Sequence, residues 1–189
     1  MNVRTIIETS GLRLRTWTEG DAEQFARHCN TEEVMRFLGG VQSPGELQDD
    51  VDYFSEHQEE HGHTFWVVER KLDRELLGFC GFVVVEDGDS TVEGELEIGW
   101  RIRADEWRKG YAEEAARAAL DWAWETVRPR RIVSRVAVGN LPSQALMRKL
   151  GMRHMSSLSY VADAGRNPLL VYTATKQQTE TFSKTSRAA

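Results

Sequence analysis

The sequence predicts a mixed α/β fold in which a twisted, mostly antiparallel central sheet is flanked by helices in three layers. Three observations indicate this class. Helical patterns dominate the first 62 residues, three β-branched and aromatic runs follow, and helix and strand patterns alternate after residue 110. The chain has 189 residues, of which 40% are hydrophobic and 29% charged. This is enough for one globular domain with a sizeable core.

The first part of the chain predicts one strand and three helices. The stretch "LRLRTW" alternates apolar and polar residues as a half-buried strand does. The first helix begins at Thr18 or Asp21, the second has acidic residues in its first turn and stops at Gly-Gly, and a Pro44-Gly45 break precedes the third. These helical stretches are "TEGDAEQFARHC", "TEEVMRFLGG" and "ELQDDVDYFSEHQEEHG".

The middle of the chain predicts three consecutive strands. Their runs are rich in β-branched and aromatic residues, and the turn-rich pieces "KLDRE" and "DGDST" separate them. Short separations of this kind favour an antiparallel meander. The three strands are "HTFWVVER", "LLGFCGFVVVED" and "EGELEIGWRI".

The last part alternates helix and strand. We expect a helix from about Gly110 to Thr126, a strand "RRIVSRVAV", a short helix from about Pro142 to Leu150, and two closing strands, "MRHMSSLSYVA" and "PLLVYTATK". The residues after these strands have little apolar surface to bury. The predicted organisation is a single domain over residues 1–176 with a flexible tail at 177–189.

Composition excludes several classes of protein. The N-terminal stretch lacks the apolar segment of a signal peptide, and no apolar run approaches the roughly 20 residues that span a bilayer, so we expect a cytoplasmic protein without membrane association. The net charge of -6 argues against general nucleic-acid binding. Cys29 and Cys80 are far apart and are expected to be reduced, partly buried thiols. We expect the protein to be a monomer or a homodimer.

The stretch "WRKGYAEEAARAALDWAW" places Gly110 between basic residues and a helix with a stripe of alanines. The alanines share one helical face, so the axis can lie close to a sheet. A helix start offers free backbone N–H groups and a partial positive charge, and a glycine there leaves room for a phosphate. A plain glycine turn before a core helix explains the same residues. The stripe consists of Ala112, Ala115, Ala116, Ala119 and Ala123.

A larger pattern surrounds this glycine. The sequence resembles the GNAT superfamily of N-acetyltransferases in the order of three segments. These are "EIGWRIRADEWRKGYAEEA", the strand that follows it, and "VGNLPSQALMRKLGM". Within it, the sequence resembles the branch that includes the ribosomal-protein serine and alanine N-terminal acetyltransferases. The resemblance covers nearly the whole chain. It implies a GNAT-like sheet flanked by helices, with acetyl-CoA as co-substrate and no metal.

The resemblance also implies where acetyl-CoA binds. In the superfamily, the loop pattern Q/R-x-x-G-x-G/A binds the pyrophosphate of acetyl-CoA. Trp107 stands where Gln or Arg is usual, which affects only a side-chain contact, because backbone amides hold the phosphates. The preceding strand is expected to pair its backbone with the pantetheine arm at about Trp100 to Ile102. The other residues that match the loop are Arg108, Lys109, Gly110, Tyr111 and Ala112.

Two further steps of the reaction need polar side chains. Aminolysis of a thioester requires a neutral amine, and Glu97, at the branch's frequent acidic position in "EIGW", is the candidate general base, directly or through water. A salt bridge or a capping role is the alternative for Glu97. Many superfamily members protonate the departing thiolate with a tyrosine, but Met147 stands there. Ser143 is therefore the better candidate, beside Asn140, although both residues also suit helix capping.

The resulting prediction is an N-acetyltransferase that moves the acetyl group directly to a primary amine in a ternary complex. A protein N-terminus is the favoured acceptor. The alternatives are a small amine, namely a polyamine, an amino acid or an aminoglycoside, and a non-catalytic acyl-CoA-binding sensor. The histidines of "HQEEHGH" have no second ligand cluster, so surface or acceptor-pocket roles are expected for them rather than metal binding.

Overall fold

The computed structural model describes residues 3–88, 90–161 and 168–186, the last five of these by their backbone alone. The chain divides into two compact units. The first contains Met1–Val83 and Gly99–Ala119, and the second contains Val84–Ile98 and Leu120–Ala189. Two units can belong to one domain, so the prediction of a single domain over residues 1–176 stays a prediction.

The first unit is built on antiparallel strands that follow each other along the chain. Neighbouring strands run in the order β1, β2, β3, β4 and β5, with antiparallel pairs between β1 and β2, β2 and β3, and β3 and β4. Hydrogen bonds from Val85 to Glu95 and from Arg103 to Leu77 give β4 and β5 an antiparallel direction as well, so the predicted meander is confirmed. The strands are β1 (Thr5–Glu8), β2 (Leu12–Arg15), β3 (Phe65–Arg70), β4 (Leu76–Val84) and β5 (Leu96–Ile102), of which β5 begins in the second unit.

Three helices and the start of a fourth complete the first unit. They are α1 (Asp21–Cys29), α2 (Glu32–Met35), α3 (Pro44–His61) and α4 (Tyr111–Thr126). Pro44 does not break the chain before α3 as expected but is its first residue. Ser43 caps the helix in a reciprocal capping box with Glu46, and proline is tolerated in a first helical turn because it lacks only an N–H that has no helical partner.

The core of the first unit lies between α1, α3 and the strands. Trp17 and Phe79 each pack against both Phe25 and Phe54, with ring centroids 5.4–5.8 Å apart. Close strand contact also fixes one glycine. A side chain at Gly78 would approach the carbonyl oxygen of Arg101 to 1.9 Å, so only glycine allows this approach.

The second unit combines a parallel and two antiparallel strand pairs. The order is β5, β6, β8 and β7, with β5 parallel to β6 and the other pairs antiparallel. This confirms the predicted mixed, mostly antiparallel class. Its further elements are β6 (Ile132–Ala137), α5 (Leu141–Lys149), β7 (Arg153–His154), β8 (Leu169–Ala174) and α6 (Lys176–Ser186).

Several predicted elements differ from those observed. Strand β1 was not predicted, and the long closing strand at 152–162 is reduced to β7, a 3₁₀ turn and an isolated bridge between Tyr160 and Leu169. Residue 162 of that strand and residues 187–189 of the predicted tail lie outside the described residues. Helix α6 occupies 176–186, where no helix was expected, and Thr179 on it is buried.

The alanine stripe of α4 is confirmed. Ala115, Ala116, Ala119 and Ala123 are fully buried, whereas Ala112 is half-buried. Trp124 is also buried and Trp122 is half-buried, as expected for residues two positions apart on a helix. None of the helices in the described part of the chain is both long and apolar enough to cross a membrane.

Candidate functional site

The predicted site residues fall in both units, and each group is described within its own unit. In the first unit, the turn before α4 adopts a conformation that glycine favours. Gly110 has a φ of +91° and Arg108 a φ of +61°. No atom lies within 4 Å of the position that a Gly110 side chain would occupy, so the backbone angle, and not crowding, favours glycine here.

Three consecutive backbone N–H groups of this turn have no acceptor among the described residues, whereas that of Trp107 donates to the carbonyl of Ala104 at 3.2 Å. The first helical hydrogen bond of α4 runs from Glu114 to the carbonyl of Gly110. In the described residues, no hydrogen bond engages the N–H groups of Gly110, Tyr111 or Ala112. Free amides at a helix start, together with the helix dipole, form an anion-binding geometry. The turn therefore has the geometry of a phosphate site.

Side chains from distant segments hold the turn and the first turn of α4. The carboxylate of Glu114 accepts hydrogen bonds from the Thr9 hydroxyl at 2.6 Å and from the Gly11 N–H at 2.8 Å. The Trp107 indole donates to the carbonyl of Ile102 at 2.6 Å, although the residue is 40% exposed. The tryptophan that departs from the family pattern thus ties the turn to the end of β5.

The basic residues around the turn are largely paired. Lys109 and Arg70 both contact the Glu106 carboxylate, at 2.9 and 2.8 Å. Burial opposes ionisation of Glu106, but these two hydrogen bonds outweigh it and hold the pKa of Glu106 below its usual value. Arg103 pairs with Asp105 at 2.7 Å. Arg108 is exposed and has no ion pair with any described residue, so it is the unneutralised cation of the turn.

Arg101, a further basic residue on the strand before the turn, packs against aromatic side chains. Its guanidinium lies over the rings of Phe25 and Phe79 at 5.2 and 5.1 Å, and it donates to the Gln42 side chain at 3.2 Å. Burial lowers the pKa of Arg101 from its usual value. Neighbouring Trp100 is half-buried and Ile102 is buried, and both belong to β5.

In the second unit, Glu97 lies in a cluster of polar side chains. Its carboxylate accepts from Arg135 four times: from the backbone N–H at 3.0 Å, twice from Nε at 3.1 Å, and from Nη2 at 2.7 Å. Arg135 also contacts Asp87 and the Tyr160 hydroxyl, at 3.1 and 3.0 Å. Burial alone would lower the pKa of Arg135, but its bonds to Glu97 outweigh burial and keep the guanidinium charged.

These contacts bear on the role of Glu97. Its side chain is 12% exposed, and a carboxylate that accepts four hydrogen bonds from three donor groups of one arginine has a structural partner that competes with an incoming amine. The base role stays a prediction. Sequence reasoning missed Arg135. A parallel register between "ELEIGW" and "RRIVSRVAV", which pairs Glu97 with Val133, is the signal that would have found it.

The start of α5 forms the remaining group. The Asn140 side chain accepts from the Ser143 N–H at 3.2 Å, and Pro142 lies in the first turn. The predicted capping is therefore confirmed for Asn140, whereas Ser143 supplies only the N–H that is capped. Within the described part of the chain, the Ser143 hydroxyl has no hydrogen-bond partner and remains available. Met147 is buried and lacks a donor.

The histidines and cysteines of the first unit are more buried than expected. His57 and His63 lie in the interior, and their Nδ1 atoms contact the carbonyls of His63 and Phe82. Burial lowers the pKa of His63 to about 4. Surface positions were therefore wrong for these two residues. Cys29 and Cys80 are free and buried, and no metal-binding group of three ligands is found among the described residues.

The turn before α4 has the free N–H groups and the positive φ of an anion-binding helix start. A family model described as "Acetyltransferase (GNAT) domain" matches residues 11–153. The chain therefore belongs to the GNAT acetyltransferase family, as its resemblance to that superfamily predicted. It is an acyltransferase, and enzymes of this family use acetyl-CoA as co-substrate.

Similar proteins support this assignment. A Bacillus subtilis (strain 168) protein, the uncharacterized N-acetyltransferase YjdG, is 30% identical over 160 residues, which cover 80% of this chain and 93% of the relative. A second B. subtilis protein, the uncharacterized protein YkkB, is 30% identical over 159 residues, which cover 84% of this chain and 91% of the relative.

Solved structures share the fold. The acetyltransferase from Agrobacterium tumefaciens str. C58 superposes with a TM-score of 0.77 at 23% identity, covering 93% of this chain and 96% of its own. RimL, a ribosomal L7/L12 alpha-N-protein acetyltransferase, superposes with a TM-score of 0.73 at 16% identity. The superposition covers 92% of this chain and 94% of RimL. At these identities the likeness concerns the fold.

Proposed function

We propose that the chain transfers the acetyl group of acetyl-CoA to a primary amine, by direct transfer in a ternary complex, with a protein N-terminus as the favoured acceptor. The observation that carries the proposal is the turn at Gly110. Its positive φ and its free N–H groups fit a pyrophosphate, which needs several donors and a partial positive charge.

The residues that would hold the pyrophosphate and the pantetheine arm of acetyl-CoA lie in the first unit. Backbone amides of Gly110, Tyr111 and Ala112 would bind the pyrophosphate, and the unpaired Arg108 adds attraction. The backbone at about Trp100 to Ile102 would bind the pantetheine arm in the manner of an added strand. Acetyl-CoA supplies an acetyl group activated as a thioester, and the protein supplies orientation and proton transfer.

Direct transfer is supported by the state of the cysteines. An acyl-cysteine route needs a thiolate nucleophile. Burial raises the pKa of Cys29 to about 12 and raises that of the fully buried Cys80 as well. Neither thiol is therefore ionised near neutral pH, and attack by the acceptor amine itself is favoured.

The proton balance assigns roles to two side chains. The amine nitrogen bonds to the acetyl carbon, the carbon–sulfur bond breaks, and the amine loses one proton while the thiolate gains one. Glu97 would accept the amine proton, directly or through water, in competition with Arg135. The Ser143 hydroxyl, which has no partner among the described residues, would donate to the thiolate, and Asn140 holds the helix start that carries it.

A specific observation also favours a second acceptor class, a small cationic amine. Helix α3 contains no lysine or arginine, and its exposed acidic residues would attract a polyamine or an aminoglycoside. The same surface would attract the ammonium group of a protein N-terminus. These residues are Glu46, Asp49, Asp52, Glu56, Glu59 and Glu60.

The experiment is the release of free CoA thiol at fixed acetyl-CoA concentration, across N-terminal peptides, polyamines, amino acids and aminoglycosides. Product masses are measured in parallel. Release with a peptide, together with a mass gain of one acetyl group at its N-terminus, is the expected result. Release with polyamines or aminoglycosides alone would replace the favoured acceptor by the small amine. Binding of acetyl-CoA without any release across the panel would instead support the non-catalytic sensor.

A further inference from the structure

Arg101 is a half-buried arginine that contacts no carboxylate among the described residues. The other buried or half-buried arginines of the first unit each contact a carboxylate oxygen at 2.7–3.4 Å. A charge that is removed from water is unfavourable unless an opposite charge and hydrogen bonds compensate it. The Arg101 guanidinium therefore lacks the direct counter-charge that comparable arginines have. The paired residues are Arg13, Arg15, Arg70, Arg103 and Arg117.

Aromatic rings and one neutral amide surround this guanidinium. It lies over the rings of Phe25 and Phe79, and its Nη1 donates to Oε1 of Gln42 at 3.2 Å. The Nε2 of Gln42 donates in turn to the Asp50 carboxylate at 2.9 Å, so an uncharged amide separates Arg101 from Asp50. Burial lowers the pKa of Arg101 and outweighs the attraction of Asp50. The Asp50 charge therefore compensates only part of the desolvation.

One free donor of Arg101 can be reached from outside. The Nε atom makes no hydrogen bond among the described residues, but it is buried and cannot reach a ligand. The Nη2 atom likewise makes no hydrogen bond in the described part of the chain, and it is not buried. Arg101 thus presents Nη2 as an accessible donor, beside the Nη1 that Gln42 already engages.

These features favour a carboxylate as the missing partner. A planar guanidinium binds carboxylates and phosphates through charge-assisted hydrogen bonds. The Asp50 charge behind Gln42 repels a doubly charged phosphate more than a singly charged carboxylate. Of these two anions, the carboxylate therefore fits the site better.

The position of Arg101 indicates which molecule carries this carboxylate. Arg101 lies within the segment Trp100 to Ile102, whose backbone would bind the pantetheine arm. That arm has amide and hydroxyl groups but no carboxylate, and the phosphates of acetyl-CoA would lie at the turn around Gly110. The acceptor is the remaining reactant, so the carboxylate belongs to it.

We propose that Arg101 binds a carboxylate of the acceptor, so that the preferred substrate is an amine that also carries a carboxylate. This inference rests on the proposed acetyl transfer. Two kinds of acceptor have this chemistry. One is an amino acid with its main-chain carboxylate, and the other is a peptide or protein N-terminus with Asp or Glu close to the amine.

Paired acceptors that differ in one charge test the inference. The tripeptide amide Ala-Asp-Ala is compared with Ala-Asn-Ala, and alanine is compared with alaninamide at equal concentration of the neutral amine. Release of CoA thiol gives kcat/KM for each. We expect the charged member of at least one pair to be preferred about tenfold or more, as for a charge-assisted contact. The pair that shows the preference identifies the source of the carboxylate.

Two variants assign the preference to the Arg101 side chain. Arg101→Met removes the guanidinium but keeps an unbranched stem over the two rings. The preference should fall to within about twofold, and the melting temperature should not decrease, because a desolvated charge is removed. Arg103→Gln is the matched control and should keep the preference, since Arg103 already pairs with Asp105 at 2.7 Å. If Arg101→Met does not fold, Gln42→Glu brings a competing carboxylate to the guanidinium and should abolish the preference.

Several results would overturn the inference. Equal kcat/KM within both pairs would contradict it while leaving acetyl transfer intact. A preference that persists in Arg101→Met, or in Gln42→Glu where that variant is used, would assign the carboxylate to another group. If no acceptor is acetylated, the proposed function fails instead. The Arg101 site is then judged by the Nε–H resonance of Arg101 in ¹⁵N NMR spectra of the CoA-bound protein. A saturable shift with Ala-Asp-Ala amide supports it, and an unchanged resonance contradicts it.

Discussion

The backbone angles of the turn at Gly110 belong to neighbouring residues, whereas the cluster around Glu97 brings together residues that are far apart in the sequence. The direction of the free N–H groups of the turn is set by the backbone angles of one short segment, Trp107–Ala112, which distant side chains only hold in place. The Glu97 carboxylate depends on Arg135, a residue 38 positions away on another strand. A substitution in the turn should therefore act locally on binding, whereas one in the cluster acts through its partner as well.

The largest expected effect concerns the turn. Gly110→Glu places a carboxylate and a side chain at the free N–H groups, and like charges brought together at a binding site cost several kcal/mol. We expect acetyl-CoA affinity to fall roughly 100-fold or more. The fold should be retained because nothing within 4 Å opposes the side chain, but some stability should be lost because the φ of +91° strains any residue other than glycine. Calorimetric titration with acetyl-CoA measures the affinity.

The matched control for this variant is Gly20→Glu. Gly20 precedes α1, has a φ of +89°, and also has no atom within 4 Å of the side-chain position. It shares the backbone strain and the added charge but lies at another helix start. Both variants should lose similar stability, and only Gly110→Glu should lose affinity. Unchanged affinity in Gly110→Glu would remove the turn from the binding site.

The second prediction tests whether the Glu97 carboxylate acts as the general base. If Glu97 is the general base, Glu97→Gln should lower kcat roughly 100-fold and raise the pH optimum, because without a base only amine that is already neutral reacts. Arg135→Gln leaves the carboxylate in place and removes the guanidinium that competes for it, while the backbone N–H of residue 135 still donates to Glu97. Arg135→Gln should lower the free energy of unfolding by roughly 2 kcal/mol, but it should lower kcat less than Glu97→Gln does. Steady-state kinetics across pH, with urea unfolding of both variants, separates the two effects.

Other outcomes decide between catalysis and structure. Similar losses of stability in the two variants, with kcat of Glu97→Gln within about twofold at saturating acceptor, would make Glu97 a structural partner of Arg135 alone. A kcat that falls equally in both variants would mean that the ion pair, and not the carboxylate, is required.

The sequence allowed the local features to be predicted and left the long-range ones open. The glycine turn and the Asn140 cap follow from neighbouring residues, so their local patterns were sufficient. The partner of Glu97 depends on strand register, and the burial of Arg101 against Phe25 depends on packing of α1. Helix α6 was missed because its polar composition resembles that of a tail.

The third effect is smaller and separates capping from thiol contact at α5. Ser143→Ala keeps the backbone N–H that Asn140 caps, so it should leave stability nearly unchanged. If the hydroxyl protonates the thiolate, kcat should fall about tenfold, at the low end for proton transfer. Asn140→Ala is the matched variant and should lose about 1 kcal/mol of unfolding free energy with the cap. A Ser143→Ala enzyme with unaltered kcat would leave the thiolate to another donor.

The smallest expected effect asks whether the turn binds through its backbone or through its cations. Arg108→Gln removes the unpaired charge and should weaken acetyl-CoA about threefold at low salt. Lys109→Gln should weaken acetyl-CoA binding less, since the Glu106 carboxylate already contacts the Lys109 ammonium at 2.9 Å. Arg74→Gln is the control, because Arg74 is also exposed with a φ of +62°. At 1 M salt, where the screening length is about 3 Å, the Arg108→Gln deficit should vanish. A loss that persists at high salt and approaches that of Gly110→Glu would mean that the Arg108 side chain, more than the backbone amides, holds the phosphates.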